Sequence, residues 1–154
     1  MPHGLQVVLV EPEIPPNTGA IGRLCLATQS RLHLVEPLGF DISDRQLKRA
    51  GLDYWQYLDV IHHASLQEFI TTLPPGAPLV FFSKKAPHLL YEHRFQPGTY
   101  LVFGNETQGL SAPLLRDNLA RTLRLPIYDE RVRSLNLSTA VGIAVYEALR
   151  QLGP

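Results

Sequence analysis

Two segments in the second half of the chain combine glycine, asparagine and serine in a pattern that could do chemistry. Residues 104–110 (GNETQGL) and 133–138 (RSLNLS) each follow an apolar strand-like run and precede a helix-like one. A third segment, residues 17–23 (NTGAIGR), opens a helix after the strand-like run 7–10 and ends on an arginine. Because the carboxyl ends of parallel strands share one edge of a sheet, three polar loops at strand ends predict an enzyme site shaped for a nucleotide.

The glycines of residues 104–110 permit a close approach of the backbone to a flat ligand such as adenine or ribose. Their spacing matches neither the dinucleotide fingerprint nor the phosphate-binding loop, so a pyrophosphate cofactor is not indicated. Glu106 could hold a backbone amide or balance a positive group. Ser134 and Asn136 could equally be helix caps, because Ser and Asn are preferred capping residues. Both the functional and the purely structural interpretation stay open at this point.

Other chemistries are disfavoured by the residue inventory. The single cysteine, Cys25, lies in an apolar run and is interpreted as a small core residue rather than a nucleophile. The six histidines are scattered without a zinc-binding spacing, so no metal is expected. The Gly-x-Ser-x-Gly pattern of serine hydrolases is absent.

Length and composition set further limits. A chain of 154 residues with 45% apolar and 18% charged residues predicts one domain, residues 1–154, with a substantial core. The sequence contains no apolar run of membrane-spanning length and no signal peptide, so we expect a cytoplasmic protein without a membrane partner. Net charge is zero, so RNA binding would depend on local basic patches. The candidate patches are Arg45/Lys48/Arg49, Lys84/Lys85 with His88 and Arg94, and Arg121/Arg124/Arg131/Arg133.

Alternating strand and helix patterns predict an α/β fold with a mostly parallel sheet flanked by helices. The expected strands are 5–10, 32–35, 59–62, 78–83, 99–103 and 121–125. The expected helices are 17–28 with Asn17 as cap, 44–50, 66–73, 111–119 with Ser111 as cap, and 136–152.

The last helix is apolar around most of its circumference, and only a narrow side with Ser138, Thr139 and Gly142 is small or polar. A helix of this kind is buried on two sides. In so small a domain, one of these sides is predicted to contact a second subunit, so we expect a homodimer.

Taken in order, the three segments 17–23, 101–110 and 134–141 resemble the motifs of the SPOUT RNA methyltransferases, and the resemblance covers nearly the whole chain. The segments 11–19 (EPEIPPNTG), 49–54 (RAGLDY) and 146–153 (YEALRQLG) are similar to a minimal branch of that family. This branch methylates the ribose 2′-hydroxyl of the wobble nucleotide, cytidine or a modified uridine, in leucine tRNAs.

The resemblance implies a trefoil knot (alpha/beta knot) at the carboxyl end of the domain and S-adenosylmethionine as cofactor, without a metal. It also implies a tRNA substrate. Phe82 stands where a smaller aliphatic residue is expected. The cofactor contacts that the family resemblance implies are Phe82, Gly104, Leu125, Ile127, Ser134 and Leu135.

On the same resemblance, Arg23 acts at the ribose hydroxyl. A guanidinium with a pKa above about 12 is a poor base, so Arg23 is expected to stabilise developing alkoxide charge, and the general base is left unassigned. The family further implies that Arg23 of one subunit reaches the cofactor of the other. Asn17 or an RNA phosphate would steer Arg23. Glu106, Ser134 and Asn136 would shape the site, and Tyr146 is a second catalytic candidate.

Two alternatives remain open. One is a non-catalytic RNA- or nucleotide-binding module on the same scaffold, which would bind RNA without forming a product. The other is an enzyme that methylates a base, or a ribose in another RNA.

Overall fold

The computed structural model describes residues 3–43, 45, 47, 49 and 52–153. In these residues seven strands form one sheet, and every neighbouring pair of strands is parallel. The strands are β1 Gln6–Val10, β2 Arg31–Val35, β3 Val60–His63, β4 Leu79–Phe82, β5 His88–Leu89, β6 Tyr100–Phe103 and β7 Thr122–Arg124. Their order across the sheet is β3-β2-β1-β6-β4-β7-β5, which confirms the predicted parallel α/β fold.

The helices that flank the sheet are α1 Pro15–Thr28, α2 Leu66–Thr72, α3 Ala112–Asp117 and α4 Leu137–Leu152. Short 3-10 helices cover Leu52–Tyr57, Leu90–Glu92 and Leu119–Arg121. The predicted helix 44–50 falls largely on residues outside those described. No helix in the described ranges is long and apolar enough to cross a membrane.

Two of the predicted helix caps are confirmed and one is wrong. Ser111 Oγ accepts the Leu114 amide at the start of α3, and Asn136 Oδ1 accepts the Thr139 amide at the start of α4. Asn17 was expected to cap α1, but this helix begins two residues earlier at Pro15. Proline lacks the N–H that is unpaired in the first helical turn, so Pro15 and Pro16 favour the earlier start.

The central strands are buried on both faces, which explains their continuous apolar runs. Side chains alternate along β1, so that Val7 and Leu9 belong to the core beneath α1 and α4, whereas Val8 and Val10 belong to the core beneath α2 and α3. Cys25 lies in the first core, where burial raises the pKa of its thiol far above the ordinary value. The interpretation of Cys25 as an inert core residue is confirmed.

Within a single chain, one side of α4 is buried and the other faces outward. The buried side consists of Val141, Ala144, Val145 and Ala148, and the opposite side carries Tyr146, which is 55% exposed. The end of α4 is held by Gln151, whose side chain accepts the Phe95 amide (2.9 Å) and donates to the His93 carbonyl (2.9 Å). Burial of the second side by a partner subunit, like the trefoil knot, stays a prediction.

Candidate active site

A cavity of about 960 Å³ lies at the edge of the sheet where the strands end. Its walls come from the carboxyl ends of β1, β4, β6 and β7, the loop 104–112 and the first turn of α4. The chain winds outward from β1 to β2 and β3 on one side and then crosses to the other side of the sheet. Ligands of parallel sheets bind where the strand order reverses in this way.

The structure brings most of the predicted site residues together around this cavity and leaves two outside it. Arg23 and Tyr146 do not line it. The predicted residues that do are Asn17, Phe82, Gly104, Glu106, Leu125, Ile127, Ser134, Leu135 and Asn136.

The Glu106 carboxylate connects the 104–110 loop to the start of α1. Its Oε1 accepts the Glu13 amide (2.9 Å), and its Oε2 accepts the Ile14 amide (2.9 Å) and Asn17 Nδ2 (3.2 Å). A negative group at a helix N-terminus is stabilised by the unpaired amides and by the helix dipole. Glu106 therefore does hold backbone amides, as its type and position suggested, and these amides belong to a segment more than 90 residues away.

The Asn17 and Asn136 side chains extend this connection to α4. Asn136 Nδ2 donates to Asn17 Oδ1 (3.1 Å), while Asn136 Oδ1 accepts the Thr139 amide (3.2 Å). The three motif segments are thus joined by hydrogen bonds that run from Glu106 through Asn17 to Asn136. This network fixes the polar wall of the cavity.

The loop that follows β6 is a tight turn. Gly109 donates its amide to the Asn105 carbonyl (3.2 Å), and the Asn105 side chain accepts the Gln108 amide (2.8 Å). Gly109 has a φ of 66°, which favours glycine. A Cβ on Gly104 would overlap the backbone of Gly109 and Leu110, so Gly104 is required by the loop itself as well as by its place in the cavity wall.

The apolar wall suits a flat aromatic group. The Phe82 ring stacks on the Phe103 ring, with centroids 4.4 Å apart and planes 7° apart, which anchors this larger residue against the core. Leu125, Ile127 and Leu135 complete the apolar lining. A mainly apolar wall with a few placed polar groups is the usual character of a cofactor site, and the cavity has room for a nucleoside of the size of S-adenosylmethionine.

Arg23 lies on α1 but points away from the cavity. It is six residues after Asn17, which corresponds to a rotation of about 120° around the helix axis and a rise of about 9 Å. Its guanidinium lies over the Tyr54 ring, 5.2 Å from the centroid, on an exposed surface. A single chain therefore does not place Arg23 beside the cavity.

The predicted basic patches differ in their surroundings. Lys84 and Lys85 are exposed and line the rim of the cavity, separated from the end of β4 by one residue. In contrast, Arg124 donates to the Ala86 carbonyl (2.9 Å) and Arg131 forms an ion pair with Asp129 (2.6 Å). The patch containing Lys48 lies partly outside the described residues.

Glu13 was missed by the sequence reasoning. Its carboxylate accepts hydrogen bonds from the Thr107 amide (3.2 Å) and hydroxyl (2.7 Å). An acidic residue shortly before a helix start was the available signal, but that signal does not reveal a partner 94 residues away.

Comparisons with known proteins agree with this geometry. The model of the SpoU rRNA Methylase family matches residues 4–146. The chain is 49% identical over 150 residues to a putative tRNA (cytidine(34)-2′-O)-methyltransferase of Bacillus subtilis, covering 96% of this chain and 92% of that protein. It is also 49% identical to a tRNA (cytidine(34)-2′-O)-methyltransferase of Polaromonas, covering 96% and 90%.

Solved structures show the same fold. A structure described as giving insights into the 2-OH methylation of C/U34 on tRNA superposes with a TM-score of 0.91 at 49% identity, covering 99% of this chain and 98% of that one. The SpoU methyltransferase AviRb of Streptomyces viridochromogenes, in complex with AdoMet, superposes with a TM-score of 0.86 at 26% identity, covering 98% and 58%. The chain therefore belongs to the SpoU methylase family, as the order of its three motif segments predicted.

Proposed function

We propose that the protein transfers a methyl group from S-adenosylmethionine to the ribose 2′-hydroxyl of the wobble nucleotide, position 34, in leucine tRNAs, where it accepts cytidine or a modified uridine. The observation that carries the proposal is the single cavity wall to which Gly104, Ser134 and the β7 end all contribute. The names of the relatives point to the same nucleotide and the same oxygen.

The cofactor would be held by the residues of the apolar wall and by the loop backbones around Gly104 and Ser134. When bound, S-adenosylmethionine supplies a methyl group already activated on a sulfonium. The chain needs no metal for this chemistry, because its task is to hold the two partners in line and exclude other geometries. Glu106 and Asn136 keep the loops in place through the hydrogen bonds already described.

On the substrate side, Arg23 would hold the ribose oxygen and stabilise the negative charge that develops on it as the proton leaves. Since Arg23 points away from the cavity of its own chain, we propose that it acts at the cavity of a partner subunit in a homodimer. The exposed side of α4 with Tyr146 would then lie at or near the subunit interface. Tyr146 remains a second candidate for contact with the ribose.

The proposal can be tested by incubating purified protein with S-adenosylmethionine and a set of unmodified and naturally modified tRNAs. Mass spectrometry of the nucleosides, followed by mapping of the modified position, should find a 2′-O-methyl group at position 34 of leucine tRNAs. Methylation of a different nucleotide would contradict the substrate assignment. Tight tRNA binding with no methylated product from any tRNA would favour a non-catalytic RNA-binding module instead.

A further inference from the structure

Glu13 and Thr107 join the segment that precedes α1 to the loop that follows β6. The Glu13 carboxylate accepts two hydrogen bonds from Thr107, one from its amide and one from its hydroxyl. In return, the Glu13 amide donates to Oε1 of Glu106, the residue next to Thr107 (2.9 Å). We call this reciprocal arrangement of Glu13, Glu106 and Thr107 the loop clasp.

The backbone beside the loop clasp also contacts Gly39. The Gly39 amide donates to the Pro12 carbonyl (2.9 Å), and a Cβ on Gly39 would lie only 2.8 Å from Glu13 Cα. The backbone of Glu13 is therefore held between the Gly39 turn and the 104–110 loop. Such close backbone contact restricts the direction in which the Glu13 side chain can point.

Glu13 does not line the cavity, whereas Glu106, Thr107 and Gln108 do. The Glu13 side chain thus acts on a ligand through the loop that it holds rather than by direct contact. The hydroxyl of Thr107 is exposed, so without its partner it would be paired by water rather than left unsatisfied. The side-chain hydrogen bonds of the loop clasp therefore fix the position of the 104–110 loop more than they add to the overall stability of the protein.

We infer that Glu13 is a positioning residue for cofactor binding: it holds the 104–110 loop in the conformation that closes one wall of the cavity. The inference rests on the proposed use of S-adenosylmethionine at this site. Because Glu13 touches no group at which the reaction would occur, its removal should weaken cofactor affinity and raise the cofactor KM while leaving kcat at saturation nearly unchanged.

The test compares full-length Glu13→Ala, Glu13→Gln and Thr107→Val with the unaltered protein. Calorimetry with S-adenosylmethionine and with S-adenosylhomocysteine gives the dissociation constants, and thermal melting shows that each variant is folded. Loss of a hydrogen bond to a charged acceptor corresponds to about a tenfold change in an equilibrium constant. The dissociation constants of both compounds should therefore be about tenfold higher for Glu13→Ala. Glu13→Gln retains an oxygen that can accept both bonds and should stay within about threefold.

Thr107→Val removes the hydroxyl donor but keeps the amide, so its effect should lie between those of the two Glu13 variants. The double variant Glu13→Ala/Thr107→Val should bind no more weakly than Glu13→Ala alone, because both changes break the same contact. Glu92→Ala is the matched control, since Glu92 also accepts a backbone amide, that of Leu89 at the end of β5 (3.0 Å), and lies away from the cavity. The Glu92→Ala protein should bind both compounds with the affinity of the unaltered protein.

A folded Glu13→Ala protein with unchanged cofactor affinity would overturn the inference. If Glu13→Ala does not fold, a folded Thr107→Val protein with unchanged affinity would overturn it equally. The proposed function fails separately, because in that case the unaltered protein would bind neither compound.

Discussion

Asn136 Nδ2 donates a hydrogen bond to Asn17 Oδ1 across 3.1 Å, which joins the cap of α4 to the first turn of α1. The other ends of both side chains are also occupied: Asn17 Nδ2 donates to Glu106, and Asn136 Oδ1 accepts the Thr139 amide. Both amide orientations are thus determined by their partners. Neither side chain can flip without placing two oxygens or two N–H groups against each other.

This relationship makes Asn136→Asp and Asn136→Ala an informative pair. Asn136→Ala removes both the cap and the contact with Asn17 and should lower the free energy of unfolding by about 1–2 kcal/mol. Asn136→Asp keeps an acceptor for the Thr139 amide, and a carboxylate is favoured at a helix start. This variant should therefore lose less free energy of unfolding than Asn136→Ala.

The aspartate, however, would place an oxygen against Asn17 Oδ1. We therefore expect Asn136→Asp to lose cofactor affinity or methyl transfer even though its α4 is capped. Urea unfolding and calorimetry with S-adenosylmethionine measure the two effects separately. Normal binding and activity in Asn136→Asp would show that the contact with Asn17 is dispensable.

Lys84 and Lys85 are expected to bind tRNA phosphate at the rim of the cavity. With zero net charge, the chain has no global field that attracts RNA, so local cations matter. Lys84→Ala/Lys85→Ala should weaken tRNA binding and reduce the slope of log affinity against log salt by about 1–2, since each lost phosphate contact removes about 0.7–0.9 from the slope.

Cofactor binding should change much less in this double variant than tRNA binding. Arg31→Ala serves as the control, because Arg31 is a partly exposed residue paired with Asp59 at the amino-terminal end of β2, on the edge of the sheet opposite the cavity. Identical salt slopes for the double variant and the control would place the RNA elsewhere on the protein.

A buried pair of histidines predicts that the protein loses stability in mild acid. Gln6 Nε2 donates to the Gly4 carbonyl, so Gln6 Oε1 accepts from His33 Nε2 (2.7 Å) and His33 Nδ1 accepts from His63 Nε2 (2.9 Å). Protonation of His33 would set two N–H groups against each other. Burial, followed by the positive charge of His63, lowers the pKa of His33 to about 4, and burial also lowers the pKa of His63.

The direction of the stability change with pH follows from the number of protons that the folded and the unfolded chains bind. Above pH 6.5 both the folded and the unfolded chains have neutral His33, so its stabilising contribution is complete. Between pH 6.5 and about 4 the unfolded chain binds a proton that the folded chain does not, and stability falls by up to about 3 kcal/mol. Urea unfolding at pH 7 and pH 5 should show this loss, and His33→Gln should reduce it. A variant of the exposed His62, His62→Gln, should retain it.

The sequence predicted the central strands and the α4 cap correctly, because both depend on local patterns. Strand β5, residues His88–Leu89, was missed, since two residues cannot show a period. Asn17 was expected to cap α1 because its residue type is typical of caps, yet the helix begins at Pro15, and Glu106, more than 90 residues away, accepts the Ile14 amide just before it. Contacts between residues so far apart in the sequence depend on the order of strands in the sheet, which no local pattern contains. No local pattern shows that Arg23 points away from the cavity of its own chain; only the family resemblance implied that it reaches the cofactor of a partner subunit.

Sharing of the site between two subunits can be tested with two variants that are each inactive alone. Arg23→Ala should abolish methyl transfer and retain cofactor binding. A second variant must close the cavity without unfolding the loop, and Gly104 is unsuitable because any side chain there would overlap Gly109 and Leu110. Leu135 is half-buried and lines the cavity, so Leu135→Trp should fill the space and abolish cofactor binding.

Each variant alone should be inactive. After the two are mixed and allowed to exchange subunits, one site in every heterodimer would combine an open cavity with an intact Arg23 from the partner. Random exchange of equal amounts makes half of the dimers heterodimers, so activity should return to about one quarter of the unaltered value. Native mass spectrometry would establish that heterodimers have formed. If they form and remain inactive, Arg23 acts within its own chain, and α1 would have to rotate or shift to bring it to the cavity.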